Sequence, residues 1–335
     1  MAATMRAVDI KGGKGERDAL FINAETPKPV PSPSQAIVKI AAFGINRMDI
    51  IQRRGFYPVP QGAPKTLGVE FSGTIESFGS ESHNGFKVGD EVFGLAYGGA
   101  YAEYIAVNTK MLLHKPKGLT HEQCAAVPEA WITATQALHL VLGFVEGKSI
   151  LWHAGASGVS IAGIQLAKAA GASEIYATAG SDEKTKFITS ELGATAAFNY
   201  KTQDWVSEIK AKTGGKGVDY IVDYIGGDYF QKNLDVAALD GSMLILGTLS
   251  GGKVPDADIS MILYKRLRVL GSTLRSRDVE YQGRLRDKLE TYLPDFESHK
   301  FKIYLDSVLP WDKIQEAHEH MENAKNSGKI VCTIV

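Results

Sequence analysis

The groups in this chain best suited to chemistry are backbone amides. The apolar run Ser149-Ile150-Leu151-Trp152-His153 passes directly into Ala154-Gly155-Ala156-Ser157-Gly158-Val159-Ser160 and then into an amphipathic stretch. A glycine-rich turn between a strand and a helix leaves the first helical N–H groups unpaired, and those amides, with the helix dipole, hold a pyrophosphate. Aligned with G-x-G-x-x-G, the key positions are Gly155, Ser157 and Ser160. The first glycine is kept, Gly158 adds one inside the turn, and both replacements are small. About 20 residues further on, an NAD site needs a carboxylate for the ribose 2′-OH, yet the second strand ends Thr178-Ala179-Gly180-Ser181. A hydroxyl at Ser181 and an ammonium at Lys184 suit a 2′-phosphate, and so NADPH. The same residues also read as an ordinary helix cap and a solvated lysine, with Asp182 complementing the helix dipole.

The elements that position this turn repeat a simple grammar. From about Pro128, apolar strands alternate with amphipathic helices: SILWH, EIYATAG, AAFNY, VDYIVDYIG and SMLILGT, separated by stretches such as GVSIAGIQLAKAAG and SDEKTKFITSELG. Such alternation predicts a doubly wound parallel sheet, with Gly171, Gly193 and Gly241 closing helices. Before Pro116 the pattern is instead short alternating runs, MRAVDI, LFINAE, AIVKIAAFGI, TLGVEFSGTI, DEVFGLA and AEYIAV. It predicts an all-β region with one helix, Arg47 to Arg53, in which Met48, Ile51 and Gln52 share a face and Gly55 ends the run. TPKPVPSPSQ reads as an exposed connector, because proline has no backbone donor. The last stretch holds helices around Asp287–Leu293 and Ile314–Lys325 and a final strand KIVCTIV. The expected α/β architecture is therefore a β-rich domain over 1–127, a Rossmann domain over 128–271, and a segment, 272–335, that returns to the first.

Composition narrows the function. The chain has 335 residues, 37 Lys+Arg against 38 Asp+Glu, and 44% hydrophobic residues. A near-neutral balance lacks the clustered charge of nucleic-acid or anionic-lipid binding. The short basic run Lys265-Arg266-Leu267-Arg268 leads straight into an apolar strand. The ligand expected is a small molecule. Cys124 and Cys332, the two cysteines, cannot build a disulfide framework and fit a reducing compartment, the cytosol. The start MAATMRAVDI has no signal-peptide pattern, and the most apolar stretch, near Ala125–Phe144, is broken by Pro128, Glu129 and His139, so neither a leader nor a membrane span is expected.

GINRMDI, LGVEFSGTI, VGDEVFGL, GGAYAEY, HAGASGVS, FNYKTQDW and GKIV carry a resemblance that covers essentially the whole chain. It is to the zinc-free quinone oxidoreductase branch, zeta-crystallin-like, of the medium-chain dehydrogenase/reductase superfamily. PEAWITA, LRSRD and EAHEHME bring it nearest to the p53-inducible quinone oxidoreductases. The resemblance implies a GroES-like catalytic domain beside the Rossmann domain. Zinc members carry a thiolate in G-x-C-x-x-D and an imidazole in G-H-E, where this chain has Asn46 and Val69. Two cysteines also rule out a four-cysteine zinc lobe, and His318 and His320, two apart on a helix, are expected at the surface. A metal-free site follows. Without a Lewis acid to polarise an alcohol, an electron-poor acceptor such as a quinone is the suitable hydride partner.

The resemblance further implies that Asn46, Asp49 and Thr133 frame the nicotinamide, with Ser157, Gly158 and Val159 at the pyrophosphate. Gly180, Ser181, Lys184, Tyr200 and Lys329 would surround the 2′-phosphate, and Leu249, Ser250 and Leu274 would line the inner cofactor wall. Ser160 stands where the family commonly has glycine, which leaves its hydroxyl available to the pyrophosphate. Read from the residues alone, Asn46 is also a helix cap, Tyr200 a strand-end aromatic and Lys329 a solvated lysine. Tyr57, in GFYPVP, is placed at the substrate mouth. There it either donates a proton or forms a stacking wall, the latter favoured because a phenol with an unperturbed pKa near 10 is a reluctant acid. The function expected is NADPH:quinone reduction. The alternatives are an NADPH-dependent alkenal or enone double-bond reductase, and a non-catalytic NADPH-binding structural or RNA-binding protein. The resemblance implies a homodimer, and SMLILGT offers a sheet edge for one.

Overall fold

The computed structural model describes residues 3–81 and 83–334. Strands β1 (Thr4–Ile10) and β2 (Leu20–Pro27) form an antiparallel pair, and β3 (Gln35–Ile45) follows the proline-rich connector, where Val30 stands in solvent. Helix α1 (Arg47–Arg53) leaves the end of β3 and stops where Gly55, at φ 82°, donates its N–H to Gln52 O. β4 (Glu70–Phe78), β5 (Glu91–Leu95), β6 (Tyr104–Asn108), β7 (Leu112–His114), α2 (His121–Ala125) and α3 (Pro128–Thr135) complete this stretch.

The next elements alternate: β8 (Ser149–Trp152), α4 (Gly158–Ala169), β9 (Glu174–Ala179), α5 (Asp182–Ser190), β10 (Ala196–Asn199), α6 (Trp205–Lys212), β11 (Val218–Asp223), α7 (Gly227–Val236), β12 (Ala237–Ile245), α8 (Ser260–Tyr264) and β13 (Arg268–Gly271). All six strands are parallel, in the order β10-β9-β8-β11-β12-β13. Counted from β8 this is 3-2-1-4-5-6, the dinucleotide-binding order, and it places the switch point at the end of β8. The C-terminal stretch adds α9 (Val279–Glu290), α10 (Leu293–Glu297), β14 (Leu305–Pro310), α11 (Ile314–Glu322) and β15 (Lys329–Thr333).

The chain divides into two units, 1–132 with 275–335, and 133–274. In the first, a seven-stranded sheet runs β14-β15-β3-β4-β5-β7, and β6 also pairs with β3. β3 is the organising strand: one edge takes β4, while the other is shared by β6 along Gln35–Lys39 and β15 along Ala42–Ile45. The second unit is cored by residues such as Leu151, Tyr176, Phe198, Trp205, Ile221 and Met243.

Several sequence expectations change. The buried face of α1 is Asp49, Ile50 and Arg53, not Met48, Ile51 and Gln52, because a hydrogen-bonded polar network covers it. Gly241 lies inside β12 and α7 closes on Ala237. β12, which contains most of SMLILGT, is paired on both sides, so the open edge belongs to β13. His318 is fully buried, since it shares a face of α11 with Ile314, Ala317 and Met321.

Candidate active site

In the second unit the turn after β8 is held by backbone. Gly155 donates its N–H to Thr178 O at 2.8 Å, and a Cβ there would press on Ala177 and Ile188, so β9 and α5 themselves demand a glycine. Ala154 adopts φ 47°, a left-handed conformation that costs a non-glycine residue about 1 kcal/mol or more and clusters at functional turns. Ser157 caps α4 by accepting the Ser160 N–H, which leaves the Gly158 and Val159 amides at the helix start. This cradle fits a pyrophosphate. Ser160 does not reach it, contrary to the sequence expectation: its hydroxyl donates to His153 O at 2.8 Å and is fully buried. Close helix–strand packing comes one turn later, where a Cβ on Gly163 would enter the Trp152 ring. His153 is neutral, pushed down to about 4 by burial, and bridges Thr178 Oγ1 and Asn233 Oδ1.

Gly180, Ser181 and Tyr200 come together at the end of β9, with Lys184 in the first turn of α5. A Cβ on Gly180 would lie 2.8 Å from the Tyr200 hydroxyl, so the glycine makes room for the phenol. Ser181 caps α5 by accepting the Lys184 N–H. Asp182, the acid nearest the strand end, accepts from Asn199 Nδ2 at 2.7 Å. Tyr200 also borders a cleft of about 650 Å³ that Lys201, Trp205 and Lys232 help to line. Thr133 is half-buried on α3, Leu274 is buried, and Leu249 is exposed. The Ser250 hydroxyl ties two loops, donating to Ile225 O and accepting from Asp228 N.

The first unit holds a different construction, made of buried charge. Lys329 sends its ammonium to Ile45 O at 3.1 Å, Asn46 Oδ1 at 2.7 Å and Glu70 Oε1 at 2.5 Å. An ammonium has three protons, and all three are used here, which removes Lys329 from the 2′-phosphate role expected of it. Glu70 accepts in addition from Asn46 Nδ2 and, through Oε2, from the Glu129 N–H. A side chain on Gly44 would overlap the Glu70 carboxylate, so the glycine in β3 is what admits this acid.

Asp49 Oδ2 accepts the Asn46 N–H at 2.8 Å and the Tyr101 hydroxyl at 2.9 Å, while its Oδ1 is buried without a partner. Burial pushes Asp49 up to about 6, against its hydrogen bonds and the charges of Arg275 and Lys329. Glu129 is pushed up to about 7 by burial first and by Glu70 next. Behind them, Arg53 can only donate, so His318 Nδ1 accepts from it at 3.0 Å, and His318 Nε2 faces the Tyr101 oxygen at 3.3 Å. Arg53 closes the network on Glu322. Tyr57, half-buried, is raised above its ordinary value by burial and by Glu129, with Arg275 opposing. Arg275 donates from Nε to Tyr97 O and from Nη1 to Gln52 Oε1, and its Cζ lies 5.3 Å from the centre of the Tyr57 ring.

Glu70, Tyr101, Glu129 and Arg275 were not singled out as site residues from the sequence. Glu70, Glu129 and Arg275 lie inside the runs LGVEFSGTI, PEAWITA and LRSRD, but nothing local signals that the fold buries Glu70 and Arg275 and half-buries Glu129. Among the described residues no group of three or more His, Cys, Asp and Glu side chains is arranged to hold a metal ion. No helix among them is long and apolar enough to cross a membrane.

Residues 32–117 match the alcohol dehydrogenase GroES-like domain family and residues 158–290 the zinc-binding dehydrogenase family. The quinone oxidoreductase of Homo sapiens is 29% identical over 98% of this chain and 97% of its own. Low-reducing polyketide synthase drtA of Aspergillus calidoustus is 31% identical over 95% of this chain, which spans only 13% of that much longer protein. Among solved structures, an NAD-dependent alcohol dehydrogenase superposes with a TM-score of 0.85 at 31% identity, covering 99% of this chain and 100% of its own. The JamJ enoyl reductase in its apo form gives 0.85 at 26%, over 99% and 100%. Joined to the 3-2-1-4-5-6 sheet and the glycine turn at Gly155, these matches make the chain a member of the medium-chain dehydrogenase/reductase superfamily, an oxidoreductase of GroES-like and Rossmann-type domains that uses a nicotinamide cofactor.

Proposed function

We propose that this chain is an NADPH-dependent quinone reductase that works without zinc, of the p53-inducible kind. The observation that carries the reading is the surroundings of Asn46. Where zinc members have a thiolate ligand, this chain has an amide already engaged by Lys329 and Glu70, and where they have an imidazole it has the buried, apolar Val69. Neither side chain is a zinc ligand. An acceptor that needs little electrophilic help suits such a site, and the likeness to quinone oxidoreductases agrees.

The bound nicotinamide would supply a hydride. The protein's part is to bind, orient and balance charge. Amides at the start of α4 meet the pyrophosphate, and Ser181, Lys184 and Tyr200 meet the 2′-phosphate, with Asp182 kept from the competing ribose role by Asn199. Tyr57 forms a wall for a flat acceptor, while Lys329 holds the Glu70 carboxylate and Asn46 in place. Proton uptake by the reduced acceptor is left to water. Two buried thiols with no disulfide support a cytosolic home. A homodimer would form at β13, whose free edge carries exposed Val269 close in sequence to exposed Ile259, Leu263 and Tyr264.

The enoyl reductase likeness favours one second reading, an NADPH-dependent reductase of alkenal or enone double bonds. Turnover of 9,10-phenanthrenequinone, benzoquinones and α,β-unsaturated carbonyls, each with NADPH and NADH, separates the two. The proposal expects quinones with NADPH to have the highest kcat/KM. Enones ahead of every quinone would replace it with the second reading.

A further inference from the structure

Arg275 is 5% exposed, and two of its three nitrogens are engaged: Nε with Tyr97 O at 2.7 Å and Nη1 with Gln52 Oε1 at 2.6 Å. Its Nη2 is buried and makes no well-aligned hydrogen bond, the Tyr57 hydroxyl being the side-chain group that interacts with the guanidinium. Buried donors of charged groups are nearly always paired, because leaving one unmet forfeits hydration with nothing in exchange. The position of Nη2 is nevertheless fixed by the other two bonds. Around it stand the Tyr57 ring, with the guanidinium carbon 5.3 Å from its centre, and Gly98, where a Cβ would come within 3.2 Å of Nη2. Asp49 and Glu129 both feel its charge, yet neither carboxylate bonds to it.

We infer that Arg275 Nη2 is the donor for the acceptor's carbonyl oxygen, the atom on which negative charge collects during reduction. The inference rests on the proposed reductase reading and adds the recognition element to it. When a quinone takes up a hydride, two electrons and one hydrogen nucleus leave the nicotinamide, which becomes the oxidised cation. The carbonyl oxygen of the acceptor gains the negative charge, and a proton from water then neutralises it. An enone differs only in where the hydride lands, on the β-carbon, with the charge again on oxygen. A fixed guanidinium donor beside a flat aromatic ring therefore suits a planar acceptor whose oxygen becomes anionic, and its bond strengthens as that charge develops. Of the residues near Tyr57, Arg275 supplies a permanent positive charge, which Lys329, enclosed by Glu70 and Asn46, does not offer.

Arg275→Met and Gly98→Ala test this by different routes. The first removes the donor and the second keeps the guanidinium while placing a methyl group against Nη2, at a backbone φ of 157° and as close to Pro64 O and Thr66 O, so its effect counts only where the variant folds as stably as the natural chain. Two readouts are needed: kcat/KM for 9,10-phenanthrenequinone at saturating NADPH, and equilibrium binding of 2-hydroxy-1,4-naphthoquinone, which carries an ionised oxygen at neutral pH, to protein without cofactor. NADPH affinity is measured separately by fluorescence, and thermal unfolding confirms that each variant folds. The expected result is a fall in kcat/KM of roughly a hundredfold or more for Arg275→Met, the scale seen when one oxyanion donor is lost. Gly98→Ala should fall in the same direction and Arg275→Lys should recover part of the loss, with NADPH affinity within about twofold throughout. Binding of the anionic naphthoquinone should weaken in step with turnover. If both folded variants keep turnover and probe binding within about threefold, or if NADPH affinity falls while turnover at saturation does not, Nη2 does not serve the acceptor and the inference is wrong. If the natural chain reduces no quinone yet binds the anionic probe through Arg275, the inference holds and the quinone reading fails.

Discussion

The two units handle polar atoms in opposite ways. Around the Gly155 turn the second unit uses neutral groups: backbone amides, the Ser157 cap, and a histidine kept neutral between Thr178 and Asn233. Around Asn46 the first unit buries Lys329, Glu70, Asp49, Arg53 and Arg275, all under 9% exposed, and lets each be answered by a residue far away in the chain. A site made of amides asks little of any one side chain, and it accepts Ser160 in place of a fingerprint glycine because Gly163 takes over the packing against Trp152. A site made of buried charges is mutually dependent, since removing one partner strands the other in a medium that cannot solvate it. The cluster around Asn46 should therefore be the more fragile of the two sites to single substitutions.

The largest expected effect breaks the charged cluster. Lys329→Met breaks a buried pair by removing one partner of Glu70, which typically costs about 3–5 kcal/mol, and adding Glu70→Gln should return much of it. Urea denaturation of the single and double variants measures both. A loss under about 1 kcal/mol for the single variant would mean that the cluster is not closed as described.

Next comes pH. Asp49 sits at about 6 in the folded chain against an ordinary 3.8, so the folded state holds its proton more tightly than the unfolded one. Its contribution to stability therefore rises as pH falls from about 7 toward 4, by at most about 1.4 kcal/mol per pH unit. His153 and His318, held neutral by burial, act in the opposite sense below pH 6.5. The Asp49 effect is thus read as the difference in slope between the natural chain and Asp49→Asn, and equal slopes would refute the assignment.

Smaller effects sharpen the contrast from the other side. Lys184→Ala should weaken NADPH binding about tenfold, the scale of one charge-assisted bond, and leave NADH binding almost unchanged. Parallel losses for both cofactors would remove the 2′-phosphate role. Tyr57→Phe should keep most of kcat, while Tyr57→Ala should raise KM through lost ring contact worth about 0.5–1.5 kcal/mol. A hundredfold fall in kcat for Phe, with NADPH affinity intact, would make Tyr57 the proton donor instead.

The same contrast explains what could be read from the chain. The turn at Gly155, the strand end at Gly180 and the alternation of strands and helices are local, so residues 149–245 announce their architecture within short windows. α1 was legible too, from Arg47 to the Gly55 stop. Its buried face was not, because Asp49 and Arg53 look like solvent-facing residues until Tyr101 and His318 arrive from 52 and 265 positions away. Lys329 reads as a solvated or phosphate-binding lysine for the same reason: its partners Asn46 and Glu70 lie 283 and 259 residues off. Arg275 carried no signal of its own, since an unanswered guanidinium nitrogen is a property of packing alone.

The proposed reaction is hydride transfer from NADPH to a quinone at a site with no metal. Dialysing the protein against a chelator, measuring its residual zinc, and then following 9,10-phenanthrenequinone reduction with NADPH and with NADH puts it to the test. Full activity at far less than one zinc per chain is expected, with a kcat/KM for NADPH at least about tenfold above that for NADH, the scale of one charge-assisted contact to the 2′-phosphate. Activity that disappears with the metal and returns with added zinc would contradict it.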